Sequence, residues 1–200
     1  MKSVIRFLII LSFCSILAAC SSSQSSYTDA TAVDTSTVGF SSTDLQTTAQ
    51  TMTDNMLTFP AIVKLTSNGN QPILFVDTIN NQTDQHINTT NVTNMIMTEL
   101  TQSGKFLFTD PSVVQQVRQQ LSYQQDSGLV QKDSAIKIGQ QVGARYMLYG
   151  SISNIKTRNS SVTDNYMLIT MKLLDLKTGY IIWADQKQIR KTQTRATFGW

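Results

Sequence analysis

The stretch "YMLITMKLLDLKTGYIIWADQ", residues 166–186, indicates the fold more directly than any other part of the chain. Two runs of strand-forming residues flank the short segment "DLKTGY", residues 175–180. Gly179 in this segment can adopt the positive φ that a tight hairpin turn requires. The stretch therefore predicts two antiparallel strands, over residues 166–175 and 180–190, that are joined by a hairpin.

Further strand and helix patterns precede this hairpin. We predict strands over residues 144–153 and within "QPILFVDT" (71–78) and "KFLFTD" (105–110). Apolar residues recur at helical spacing in three stretches: Leu45, Ala49, Met52 and Met56 after a cap at Ser42 or Thr43; Val92, Met95, Ile96 and Leu100 up to Gly104; and Val113, Val114, Val117 and Leu121 after the Asp110 cap and Pro111. A fourth helix is predicted from near Asp133 to Gly143. The fold class is therefore mixed α/β (α+β): a single domain with a mixed, mostly antiparallel sheet and helices packed on it.

The first 19 residues have the pattern of a bacterial signal peptide. Lys2 and Arg6 precede an apolar run that is too short to span a bilayer, and "LAAC" (17–20) matches the lipobox. We expect cleavage before Cys20 and acylation of its thiol; an ordinary signal peptide followed by a chance cysteine is the alternative. Because Ser21 replaces the aspartate that commonly retains lipoproteins in the inner membrane, we expect an outer-membrane lipoprotein that faces the periplasm.

Composition divides the mature chain into a tether and a domain. Residues 20–43 are almost wholly Ser, Thr, Asp and small residues, which cannot offset the entropy of ordering, so a lipidated disordered tether is predicted. Residues 44–200 are predicted to form one globular periplasmic domain, with a frayed tail over residues 191–200.

Charge and cysteine content exclude several classes of function. The chain has 16 basic and 13 acidic residues; without Lys2 and Arg6 the balance is 14 to 13, which gives no case for nucleic-acid binding. Cys14 leaves with the signal peptide and Cys20 is acylated. The mature chain then has no free thiol for a disulfide or for the usual zinc sites.

Catalytic candidates are few. His86 is the single histidine and lies in a polar loop, and Glu99 is the single glutamate. Asp77, at a strand end, is the best single carboxylate, although capping a turn is its preferred role. We expect no catalytic residue, cofactor or metal, and no enzyme activity. The basic residues Lys187, Arg190, Lys191 and Arg195 are interpreted as a charged edge strand, with a contact to acidic wall stems, lipid head groups or a partner as the alternative.

Four phrases resemble, in the same order, the LpoB family: "PILFVDTINNQT", "TELTQSGKFLFTD", "IGQQVGARYMLYGSIS" and "LLDLKTGYIIWADQK". The resemblance covers residues 44–190, and similar phrases occur in periplasmic domains of the TolB N-terminal type. It implies a non-enzymatic outer-membrane lipoprotein that activates a bifunctional class A penicillin-binding protein by docking on its regulatory domain. Known members have a longer, proline-rich tether, whereas this tether contains no proline.

The resemblance also implies a docking residue. An exposed tyrosine of the strand belongs to the family's docking patch, and Tyr149 matches it. Strand alternation places Arg145, Met147, Tyr149 and Ser151 on one face and Tyr146, Leu148 and Gly150 on the other, but period 2 alone does not say which face is buried. We therefore expect Tyr149, with Arg145 and Ser151, to bind the partner. The rival functions are a structural or assembly lipoprotein of the outer membrane or a secretion system and, third, an enzyme acting on the wall.

Overall fold

The computed structural model describes residues 26, 29, 32–125 and 134–194. In chain order the elements are helices α1 (Ser42–Thr58) and α2 (Pro60–Leu65), strands β1 (Ile73–Val76) and β2 (Asn80–Gln82), helix α3 (Thr89–Gln102), strand β3 (Leu107–Phe108), helices α4 (Pro111–Gln125) and α5 (Ser134–Val142), and strands β4 (Tyr146–Arg158), β5 (Val162–Asp175) and β6 (Ile181–Thr194). The predicted mixed α/β class is confirmed.

The strands form one mixed sheet in the order β3-β1-β4-β5-β6. β1 is parallel to β3 and β4, and β2 also runs parallel to β4, beside its residues 151–153. β4, β5 and β6 form the predicted antiparallel meander. Gly179 has φ 75°, and the Asp175 N–H donates to the carbonyl of Tyr180 (2.9 Å), so the predicted hairpin is present.

The meander is longer than the apolar pattern predicts. β4 continues to Arg158 and β5 begins at Val162, where the sequence indicated 153 and 166. The connecting turn is closed by Asn159, whose Oδ1 accepts from the N–H groups of Ser161 (2.9 Å) and Val162 (2.6 Å). Residues 154–158 are mainly polar, so this part of the strand pair is stabilised by backbone hydrogen bonds between β4 and β5 rather than by burial of apolar side chains.

Helices cover the two faces of the sheet unequally. α1 and α3 pack on one face, over a large core that includes Met52, Met56, Ile96, Leu100, Leu148, Ile152, Met171, Leu173 and Trp183. α4 and α5 pack on the other face, over a smaller cluster of Phe75, Val114, Ile138, Ala144, Met147 and Leu176. Further along β4 and β5, this second face is half-exposed or exposed, and Ile155 is 69% exposed. We call this region the open face: Tyr149, Ser151, Ser153 and Ile155 of β4 with Lys172, Thr170, Leu168 and Tyr166 opposite them on β5.

Helix ends follow the predicted capping chemistry with one difference. α1 is capped by Ser41 rather than by Ser42 or Thr43. Ser41 and Asp44 form a reciprocal capping box, because the Ser41 hydroxyl accepts from the Asp44 N–H (3.4 Å) and the Asp44 carboxylate accepts from the Ser41 N–H (2.8 Å). Gly104 follows α3 with φ 65°, and Asp110 accepts from the N–H of Ser112 (2.7 Å) at the start of α4. The predicted cap near Asp133 lies outside the described residues.

Residues 34–41, which composition assigns to the tether, lie against the domain. We call them the N-terminal strap. Asn165, which is fully buried, donates from Nδ2 to the carbonyl of Val38 (2.9 Å). Lys191 Nζ donates to the Gly39 carbonyl (3.2 Å) and lies 2.6 Å from the Asp44 carboxylate. Ordered structure therefore begins before the boundary at residues 43 and 44.

Of the other predictions for the two ends of the chain, one can be compared with the structure. Residues 191–194, which were assigned to a frayed tail, pair with β5 as the end of β6. Residues 195–200, the predicted signal peptide and Cys20 lie outside the described residues. Within the part of the chain that the structure describes, no helix has the length and apolar character needed to cross a membrane.

Candidate partner-docking site

The two tyrosines of β4 have different surroundings. Tyr146 is 2% exposed and belongs to the large core under α1 and α3, where burial raises the pKa of its hydroxyl. Tyr149 is half-buried on the other face, where it packs against the smaller cluster, as Val117 and Leu174 also do. Both faces are thus covered at the start of β4, but from Tyr149 onward only the face under α1 and α3 remains buried.

Tyr149 lines a groove at the start of the open face. The groove has a volume of about 330 Å³ and lies between the sheet and the chain that follows β1. We call it the Tyr149 groove; its walls are Asp77, Thr78, Asn80, Tyr149, Gly150, Ser151, Thr170 and Lys172. It brings together two of the sequence-predicted docking residues, Tyr149 and Ser151.

Asp77 holds the wall of the groove in place. Its N–H donates to the carbonyl of Leu148 (2.8 Å), and its carboxylate accepts from the N–H of Thr78 (2.7 Å). The same carboxylate forms an ion pair with Arg118 of α4. The turn role predicted for Asp77 is therefore present, and the ion pair additionally links the groove wall to α4.

Lys172 gives the groove its positive charge. It lies directly across the strand pair from Tyr149 and is half-buried. Within the described part of the chain, no carboxylate forms an ion pair with it. The neighbouring Thr78, Ser151, Thr170 and Tyr149 each add a hydroxyl, so the groove combines one unpaired cation, one aromatic ring and several hydrogen-bonding groups. Such a surface suits recognition of a protein partner.

Arg145, the third predicted docking residue, is not part of this groove. Its Nη2 lies 2.9 Å from the carboxylate of Asp175, and its guanidinium stands 5.3 Å from the centre of the Tyr146 ring. Burial alone would raise the pKa of Asp175, but hydrogen bonds from Arg145 and from the Lys177 N–H outweigh it, so the pKa lies below its usual value. Arg145 directly precedes β4, four residues before Tyr149, and its guanidinium turns towards Asp175 and Tyr146 rather than towards the groove.

The other candidates do not form a catalytic or metal site. His86 and Glu99 are both exposed, on a loop and on α3. Among the described residues, no group of three or more histidine, cysteine or acidic side chains could hold a metal ion. In the basic segment, Arg190 pairs with Asp164 and Lys191 pairs with Asp44, so these two charges are engaged within the domain. The edge-strand interpretation fits them.

Thr170 and Lys172 are groove residues that the sequence reasoning missed. The alternation of β5 does place them opposite the buried Met171 and Leu173. Their position beside Tyr149, however, depends on the register of β5 against β4. That register is set by the turn at residues 159–161, which is polar and could not be located from an apolar pattern.

Comparison with known proteins identifies the family. Residues 44–189 match the family described as "Peptidoglycan-synthase activator LpoB". The chain belongs to the LpoB family. Its relatives include the penicillin-binding protein activator LpoB of Salmonella typhimurium, 29% identical over 119 residues, and that of Escherichia coli strain K12, 31% identical over 114 residues. These alignments cover 60% and 57% of this chain and 52% and 50% of the two relatives, so the chain spans about half the length of the curated relatives it matches.

A solved structure agrees with this assignment. The LpoB C-terminal domain from Escherichia coli superposes with a TM-score of 0.52 at 28% identity, covering 73% of this chain and 98% of that domain. The LpoB family is described as activating a synthase, in agreement with the prediction of a non-enzymatic regulatory protein.

Proposed function

We propose that this chain activates a bifunctional class A penicillin-binding protein by docking on its regulatory domain through the Tyr149 groove. The observation that carries the proposal is the groove itself: Tyr149 lies on the open face directly across from Lys172, with which no carboxylate of the described residues pairs, and Ser151 lies across from Thr170. Family membership gives the class of partner, since the relatives are named penicillin-binding protein activators. The protein acts by binding and uses no cofactor.

The position of the strap supports docking from an anchored chain. Asn165 and Lys191, which hold the strap, pair with each other across β5 and β6 and face α1. Lys172 is seven residues further along β5, about 24 Å away, and faces the opposite side of the sheet. A tether acylated at Cys20 in the outer membrane would therefore leave the domain at the end remote from the groove. The groove would remain free to meet a partner in the periplasm.

The experiment measures glycan-strand synthesis by a purified class A penicillin-binding protein from the same cell, with and without the full-length chain. We expect the wild-type chain to raise the rate of glycan-strand synthesis. Lys172→Glu should remove this increase, because it places a negative charge against the partner surface that the Lys172 ammonium would contact. Lys187→Glu is the matched control: it is also half-buried in the sheet but lies on β6, directly across from Ile169 on the α1 face. No rate increase by the wild-type chain, or equal losses in both variants, would contradict the proposal.

A further inference from the structure

A second pocket lies on the same face of the sheet, at the other end of β4. Its volume is about 360 Å³, within the range of small-ligand sites. It shares no lining residue with the Tyr149 groove. The docking function proposed above does not use it.

The floor of this pocket is apolar. Ala144 and Leu176 form it, both 6% exposed, and Ile136 of α5 stands at its rim with 40% exposure. α5 can approach this closely because Gly139 has no side chain: a Cβ there would lie 2.3 Å from Leu176 Cδ1 and 2.9 Å from the Ala144 carbonyl oxygen. The pocket therefore offers a small apolar surface suited to methyl-sized groups.

The rim of the pocket is positively charged. Arg145 is 54% exposed and is held in place by the buried carboxylate of Asp175, which accepts from Nε and Nη2. A guanidinium has five N–H donors, so three remain for a ligand. Lys177 adds an ammonium that has no ion-pair partner among the described residues, and Gln140 adds an amide. Two cations against one carboxylate leave a net charge of +1 at the rim.

We propose that this pocket binds a terminal carboxylate carried on a small apolar body, of the kind that ends the alanine-terminated stem peptides of peptidoglycan. The charged rim takes the carboxylate, since arginine presents paired donors that match its two oxygens. The floor of Ala144 and Leu176 takes the adjoining methyl groups. The carboxylate preference follows from the pocket alone, and the choice of a wall peptide rests on the envelope location proposed above.

The test titrates the full-length chain with N-acetyl-D-alanyl-D-alanine and with its C-terminal amide, and follows binding by ligand-observed NMR. We expect a dissociation constant on the order of 1 mM for the acid, as suits a ligand of this size. The amide should bind about tenfold more weakly, because it offers the cations no charge. Octanoate, a carboxylate with a longer apolar body, should bind more weakly than the dipeptide.

Lys177→Gln is the informative variant, because Lys177 is exposed and its removal leaves no buried charge without a partner. Removal of Arg145, in contrast, would leave the buried carboxylate of Asp175 without its cation. It should weaken binding of the acid about tenfold, while Lys64→Gln on α2 should not change it. Undetectable binding of the acid, equal affinity for acid and amide, tighter binding of octanoate, or an unaffected Lys177→Gln variant would each overturn the proposal. None of these results depends on synthase activation. Carboxylate binding by this pocket and docking through the Tyr149 groove can therefore be rejected independently of each other.

Discussion

Asp175 connects the hairpin, Arg145 and the second pocket. Its carboxylate is buried, accepts from Arg145, and accepts from the N–H of Lys177 (2.9 Å) in the turn before β6. Asp175→Asn should lower the free energy of unfolding at neutral pH by about 1.5–3 kcal/mol, the usual range for hydrogen bonds to a charged group. Urea unfolding measures the loss. Asp164→Asn is the control: Asp164 pairs with an Arg190 side chain that is 69% exposed, so its loss should stay below about 1 kcal/mol.

The effect of Asp175 has a defined pH dependence. Its pKa in the folded protein lies below the ordinary value of 3.8, so the carboxylate stabilises the fold above that pH. This stabilisation is lost as the pH falls through the lower, folded-state pKa. The difference between wild type and Asp175→Asn should therefore be full at neutral pH and shrink below about pH 4. A difference that stays constant down to low pH would show that the charge of Asp175 is not the cause.

Single residues were predictable where their role is local. Gly179 and Gly104 take the positive φ that their turns require, and Asp110 caps α4 as expected. The predicted cap of α1 lies one or two residues too late, because Ser41, Ser42 and Thr43 are all cap-forming residues. The aspartate three positions after Ser41 distinguishes Ser41 from Ser42, whereas Gln46 gives Thr43 the same capping-box spacing. The partner of Arg145 could not be predicted, because Asp175 is 30 residues away and the pairing depends on strand register.

At the scale of elements, Lys191 is the one cation among the three side chains that hold the strap. Lys191→Ala should lower the free energy of unfolding by about 3 kcal/mol, because Asp44 would remain 8% exposed and without its cation. Arg190→Ala is the matched control, since the neighbouring residue points to the opposite face and its ion pair is exposed; a loss below about 1 kcal/mol is expected. Urea unfolding of both variants measures the difference. Equal losses of unfolding free energy in the two variants would show that the buried Lys191–Asp44 ion pair stabilises the fold no more than the exposed Arg190–Asp164 pair does.

The elements differ in how far their sequences reveal them. α1, α3 and the β5–β6 hairpin carry regular apolar periods, which reflect the core that each element meets. The strap carries no such period. It is ordered by side chains of Gln85, Asn165 and Lys191, which lie far along the chain and donate to or accept from its backbone. Composition alone therefore assigned it to the tether.

At the scale of the whole molecule, Cys20 is proposed as the attachment point. Cys20→Ala should abolish acylation and release the protein from the outer membrane, because no other cysteine remains after cleavage of the signal peptide. Palmitate labelling and sucrose-gradient fractionation of the envelope measure both effects. Label that persists in the variant, or wild-type protein in the inner membrane, would reject the proposed location.

The reach of the tether is a second property of the whole molecule. Deletion of residues 22–31 should abolish function in cells, because it shortens the maximal span by about 35 Å. Deletion of residues 32–41 should instead lower the melting temperature, since it removes the strap and the Ser41 cap. The purified 22–31 deletion should still activate the synthase. Full function of that deletion in cells would show that reach is not limiting.

The most direct test of the docking proposal compares Tyr149→Ala with Tyr166→Ala. Both tyrosines are half-buried on the open face, but Tyr166 lies opposite Ile155, six residues along β4 from Tyr149. Each truncation should cost roughly 2 kcal/mol of stability, about half the loss for a fully buried ring. Affinity for the class A penicillin-binding protein is then measured for both folded variants. The account predicts a loss of about thirtyfold for Tyr149→Ala and wild-type affinity for Tyr166→Ala. Unchanged affinity of a folded Tyr149→Ala variant would contradict it.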